Sequence, residues 1–232
     1  MTSYNILFNI NGSAKSPKEV RERIRGFEYT DATCDIIRDS LELEAGEKVF
    51  IKCSTRILSN FGMTRSGAFR DINETDILPR CWTIIGDQVL EIHNKVVDSG
   101  SRDRYLLEIS DSEREELSAK IWSITKLLLP LTMGKTSWGL VGASKILFSV
   151  LPEIVLPVDN SMWLNVFKTV DLGDVIKGMA YDIQTWENAT GQKLNELYPD
   201  QSLTTLPSAY NVMAMAARPE KIKRVKLDIM KR

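Results

Sequence analysis

Apolar residues recur along most of the chain at spacings of three and four, which predicts a mostly α-helical protein with little or no sheet. The first segment, Tyr4–Ile10, alternates loosely and reads as a short strand or as the lead-in to a first helix, and Asn11-Gly12-Ser13 is a turn signal. Ser16 followed by Pro17 reads as an N-cap and first helical position, and Val20, Ile24 and Phe27 carry that helix to about residue 28. A second helix is expected from Thr30-Asp31, with Cys34, Ile36, Ile37 and Leu41 on its apolar side. Residues 60–80 are rich in turn formers, Trp82–Val97 reads as helix, and 99–103 as a polar loop.

Ser110-Asp111-Ser112 caps a long helix whose apolar positions include Leu117, Ile121, Ile124, Leu127 and Leu128, with its end expected near Pro130. Another helix opens at Thr136 or Ser137, runs through Lys145 towards Leu151 and stops at Pro152; a short extended piece, Ile154–Val158, follows. Asp159-Asn160-Ser161 then caps a helix carrying Met162, Trp163, Val166 and Phe167. A longer amphipathic helix is expected from Asp171 to about Asn188, a turn at 188–191, a last helix around Pro207–Ala217, and a charged tail. The chain reads as one compact helical unit, 1–232, with two lobes at about 1–110 and 111–232.

Composition narrows the classes. The 232 residues are 43% hydrophobic and 26% charged, with 30 Lys plus Arg against 31 Asp plus Glu, a net charge of −1. That is an ordinary globular balance, and it excludes disordered, collagen-like and strongly basic nucleic-acid tail proteins. A basic run lies at 217–232; it reads as a solvated terminal segment, with phosphate contact as the alternative. Cys34, Cys53 and Cys81 are widely spaced and form no CxxC pair, so neither a zinc ribbon nor a cysteine-ligated cluster is expected. His93 is the sole histidine, which excludes multi-histidine metal sites and speaks against a Ser-His-Asp triad. No metal or cofactor is expected. The odd cysteine count and the lack of a secretory-type leader point to a reducing cytoplasm, and the longest apolar stretch, 146–158, is too short to span a bilayer and is interrupted by Pro152 and Pro157.

Two apparent motifs fail on spacing. Gly134-Lys135-Thr136-Ser137 resembles the end of a phosphate-binding loop, but the position that needs a glycine five residues before Gly134 is Leu129. Glu91 and Lys95 stand four apart, which suits a helix-surface ion pair and not the strand-face pairing that metal-dependent nucleases use. Asn11, Asn73 and Asn188 begin chance glycosylation matches.

The segment 136–163, TSWGLVGASKILFSVLPEIVLPVDNSMW, carries more. By spacing alone, Asp159 is an aspartate at the mouth of a helix, an N-cap that backbone N–H groups and the helix end would keep ionised. Gly139, Ala143, Ile146, Leu147, Pro157, Val158 and Asp159 together resemble the second half of the helix-hairpin-helix signature of the base-excision DNA glycosylases. The resemblance covers about a tenth of the chain. It implies a mostly α, two-lobed fold with a DNA-binding cleft, and DNA as partner. It makes Asp159 the catalytic carboxylate, and it puts Ser137, Trp138, Gly139 and Gly142 at the DNA-contacting hairpin. Bifunctional members carry a lysine nucleophile two residues before the alanine; here that position is Val141, and Lys145 and Lys135 are the displaced candidates for a Schiff-base lysine. The family's Gly-hydrophobic-Gly hairpin is replaced by Ser137-Trp138-Gly139, and no cysteine cluster follows.

Among the tryptophans, Trp82, Trp122, Trp163 and Trp186 read foremost as core and Trp138 as the one best placed to meet a base. Tyr210-Asn211 reads as packing, with cleft lining as the alternative. Three functions follow: a DNA glycosylase acting through Asp159, a non-catalytic DNA-binding relative, and a helical protein-interaction domain that touches no nucleic acid.

Overall fold

The computed structural model describes residues 3–26, 31–65, 67–72, 74–134, 137–198 and 204–219. Thr30, Asn73, Lys135, Thr136 and the basic run from 220 onward therefore lie outside the described residues, as does the expected end of the first helix at 27–28. The described chain is mostly α-helical. Its sheet content is one antiparallel pairing of two residues on each side, β1 (Met133–Gly134) with β2 (Ser137–Trp138).

The N-terminal segment forms no strand. A single bridge, Phe8 to Ala14, closes the turn at Asn11–Ser13, where Gly12 adopts φ +80°. Helix α1 (Pro17–Arg25) starts as expected, with the Ser16 hydroxyl accepting from the Glu19 N–H. Helix α2 (Asp31–Asp39) is shorter than its apolar pattern suggests: Leu41 falls in the following 3-10 turn and is 54% exposed. Helix α3 (Glu47–Asn60) was not anticipated; it buries Val49, Phe50, Cys53, Ile57 and Leu58. Helix α4 (Ile77–Asp98) extends the expected helix at its N-terminal end, and a four-residue α5 (Tyr105–Glu108) precedes α6.

Helix α6 (Asp111–Thr132) opens on a capping box between Ser110 and Glu113. It does not stop at Pro130 but runs through it for two more residues. Pro130 lacks the N–H that would reach the Lys126 carbonyl, and its ring crowds that carbonyl, so the turn beyond it needs other support. The Thr132 hydroxyl lies 3.0 Å from the Leu128 carbonyl oxygen, and the Met133 N–H bonds Leu129 O.

Helix α7 (Leu140–Val150) begins several residues later than expected, because β1 and β2 take up the chain before it. Gly142 to Val150 are all buried. Such an all-round apolar helix belongs in a core, and α7 packs between α3 and α6. The Ser54 and Ser149 hydroxyls hydrogen-bond across the α3–α7 interface at 3.1 Å. Pro152 follows the helix as expected, and the connector through Val158 is buried throughout.

The helix expected after Asp159 is instead a single five-residue π turn, Trp163–Phe167, in which the Phe167 N–H reaches back to Met162 O at 3.0 Å. Lys168, left-handed at φ +56°, ends it, and its Nζ bonds the Asn165 carbonyl at 2.5 Å, which satisfies an acceptor the short turn leaves over. Helix α8 (Leu172–Thr190) matches expectation, with Asp171 accepting from the Gly173 and Asp174 N–H groups and Gly191 (φ +68°) beyond its end. Helix α9 (Leu206–Ala216) is also where the pattern put it, capped by Thr205 and Ser208.

One contiguous core draws on the whole described length, from Ile6 to Ala214. Asp182 of α8, fully buried, joins the N-terminal segment to it: its carboxylate accepts from the Ser3 hydroxyl, the Tyr4 and Ile6 N–H groups and the Tyr210 hydroxyl. Tyr210 and Asn211 are buried packing residues. Trp163 and Trp186 are fully buried, the latter donating to Lys15 O at 2.8 Å, whereas Trp82 and Trp122 are only partly so. No helix among the described residues is long and apolar enough to cross a membrane.

Candidate functional site

The chemistry gathers where α7 meets the connector that returns alongside it. Ser144 and Lys145 are neighbours on α7, and Val158 and Asp159 stand fourteen residues further on. The Ser144 hydroxyl accepts from the Val158 N–H at 3.2 Å and lies 3.3 Å from the Val158 carbonyl oxygen, so it pins the connector backbone to the helix. That brings the next residue, Asp159, against the next side chain, Lys145, whose Nζ donates to Asp159 Oδ1 at 2.9 Å. Ser144 was missed in the sequence; only its place one residue before a candidate lysine marked it.

The pair is lopsided in exposure. Lys145 is 3% exposed, whereas the Asp159 side chain keeps about a third of its surface open, at 33%. Burial pulls the Lys145 ammonium below the usual lysine range, and the Asp159 carboxylate offsets part of that by favouring the charged form. Phe61, just past the end of α3, covers the amine from another side, its ring centroid 3.6 Å from Nζ.

Asp159 was expected to cap a helix through its carboxylate. In the fold it does not: its carbonyl accepts the Met162 N–H at 2.9 Å, and its carboxylate goes to Lys145. The reason is the π turn, whose N-cap is Met162, three residues further on.

The other candidate residues divide. Lys135 lies outside the described residues, and of Ser137 and Trp138 the backbone pairing in β2 is what is described. Gly139 sits at the N-cap of α7 with φ +76°, where a Cβ would lie 2.5 Å from Thr132 Oγ1 and 3.0 Å from the Leu129 carbonyl oxygen. Gly142, on the first turn, backs onto Phe69, whose ring a Cβ would meet at 2.6 Å. Gly139 therefore serves close packing of α7 on α6, and Gly142 close packing of α7 on Phe69. Gly139→Ala combines a left-handed backbone with this clash and is expected to cost about 2–4 kcal/mol of stability; urea denaturation checks it, and a cost below half a kcal/mol would contradict the geometry. Val141, at the family's lysine position, is partly exposed on the same turn.

Elsewhere the titratable groups are structural. Glu91 and Lys95 do form the surface pair read from their spacing, at 3.0 Å, and Lys120 of α6 joins them. Cys53 and Cys81 are buried thiols that desolvation pushes up to about 12, far from a reactive thiolate. Glu153 is buried against Arg102 at 2.5 Å. Desolvation, and then the nearby Arg102 charge, hold His93 below its ordinary value. The folded chain thus keeps His93 neutral through pH values at which an exposed histidine is half protonated. Its imidazole resonances are expected to titrate with a midpoint below 6.5 by NMR; a midpoint at or above the free value would contradict this. Among the described residues, no three His, Cys, Asp or Glu side chains are arranged to hold a metal ion.

Comparison with protein-family models, with curated proteins and with solved structures gives no match. The site is therefore read on its own geometry.

Proposed function

We propose that the chain is a DNA-binding protein of the DNA glycosylase type, excising a base from damaged or mismatched DNA with Asp159 as the catalytic carboxylate. The observation that carries this is the 2.9 Å contact between Lys145 Nζ of α7 and Asp159 Oδ1. A buried amine and a half-open carboxylate in contact are the two groups that base excision with a lysine requires.

The roles follow from position. Asp159, the more exposed partner, faces outward and would stabilise positive charge developing at the sugar C1′ as the bond to the base breaks. Loss of the Lys145 ammonium proton to solvent leaves a neutral amine, which the low polarity around Lys145 favours, and leaves the Asp159 carboxylate to face the developing cation. That amine would form a C–N bond to C1′ as the base leaves; the departing base takes up the proton the new ammonium sheds. Opening of the sugar ring then gives an imine. In this arrangement the duplex lies at the hairpin of Ser137, Trp138 and Gly139.

The test is a panel of duplexes, each with one damaged or mismatched base, incubated with the protein and cleaved with alkali. Alkali-labile strands at one class of lesion are expected. A non-catalytic DNA-binding relative is the second reading, favoured by Val141 at the nucleophile position; it predicts binding that weakens steeply with salt and no alkali-labile product. Neither product nor salt-sensitive binding would reject both and leave a protein-interaction domain.

A further inference from the structure

We propose that Phe61 is a positioning residue of the Lys145–Asp159 site, its ring covering the amine and holding it against the carboxylate until an incoming group displaces it. This rests on the reading of Lys145 as the amine of the site, but not on DNA being the substrate. Three observations point to it. The ring centroid is 3.6 Å from Nζ, close enough for the π face to attract the ammonium. Phe61 is 39% exposed, one of few large apolar side chains left at the surface, whereas the lysine beneath it is 3% exposed. Its backbone is held, because α3 packs along α7, where the Ser54–Ser149 bond joins them, and the Phe61 N–H closes the helix on Ile57 O at 3.0 Å. The aromatic ring is thus a side-chain cover on a fixed hinge: it can swing while the helices stay in place.

Cover and attraction are separable. Phe61→Leu keeps an apolar cover but removes the π face, so the ammonium loses an attraction and the amine becomes neutral at lower pH. Phe61→Ala removes the cover, so water and reagents reach the amine. Reductive methylation of the full chain with formaldehyde and cyanoborohydride reads both effects. The neutral amine adds to the formaldehyde carbon, water leaves, and hydride from cyanoborohydride reduces the iminium to a methylamine. Methylation at Lys145 is followed by peptide mass across a pH series, with circular dichroism confirming the fold of each variant.

Phe61→Ala is expected to raise the high-pH rate at Lys145 severalfold. Phe61→Leu is expected to leave that rate low and to move the midpoint of the pH profile down by about 0.5 to 1 unit, the size of a partly exposed cation–π attraction. An unchanged rate in Phe61→Ala overturns the proposal, as does an unchanged or raised midpoint in Phe61→Leu. The reaction uses no nucleic acid, so failure of base excision on duplexes and failure of this proposal are separate results.

Discussion

Asp159→Asn is expected to abolish base release, by about 10²–10⁴-fold, and at the same time to cost about 2 kcal/mol of stability. The two losses have different origins. Activity goes because an amide cannot stabilise a developing cation. Stability falls because Lys145, nearly fully buried, loses the charge that compensates its own. The stability cost sits below that of a fully buried pair because Asp159 is a third exposed and partly hydrated. Adding Lys145→Met separates them. An apolar side chain of similar length removes the uncompensated ammonium, so the double variant should regain most of the lost stability and none of the activity. Denaturation midpoints and alkali-cleavage rates of the two single variants and the double variant complete the cycle. Activity tracking stability through the cycle would make the pair structural only.

The second large effect lies far from the site in sequence. Asp182→Ala is expected to destabilise the protein by about 3–5 kcal/mol. The Asp182 carboxylate is fully buried and serves four donors, and removing it strands the Tyr210 hydroxyl and the Tyr4 and Ile6 N–H groups without their acceptor. The N-terminal segment would lose its attachment to α8 even though Tyr4 still packs edge-on against Phe167 at 5.1 Å. Tyr210→Phe removes one donor and leaves the carboxylate with three, so about 1 kcal/mol is expected there. Urea denaturation of both variants gives the comparison; a Tyr210→Phe cost equal to that of Asp182→Ala would show that the network does not anchor the segment.

Much of the helical plan was legible because it rests on local signals. Ser16-Pro17, Ser110, Asp171 and Gly191 mark ends that the backbone hydrogen bonds then confirm. The failures came where tertiary contacts decide. Pro130 reads as a stop, but the helix continues for two residues past it, where the Thr132 hydroxyl bonds the Leu128 carbonyl. Asp159-Asn160-Ser161 looked like a cap because its residue types are those of caps; its carboxylate found an ammonium instead, and only one π turn formed. Helix α3 carries Val49, Phe50, Cys53 and Ile57 at helical spacing, but it opens on Gly46 with no side-chain cap to mark its start.

At the site, Lys145 and Asp159 were both visible as residues, but nothing in their spacing of fourteen says that they touch. That contact depends on Ser144 gripping the Val158 backbone, a long-range hydrogen bond with no sequence signature. The apolar run of α7 is compatible with a lysine snorkelling at the helix edge as well as with a buried one; the fold buries it, and burial is what lowers its affinity for a proton.

Borohydride trapping on lesion-bearing duplexes tests the central claim most directly. Reduction of the imine fixes the enzyme to the sugar, and peptide mass then locates the bond. An adduct on Lys145, absent from Lys145→Met and from intact undamaged duplex, is the expected result. An alkali-labile product whose adduct maps to another lysine, or which forms with no adduct at all, would contradict the assignment of Lys145 as the amine that attacks the sugar.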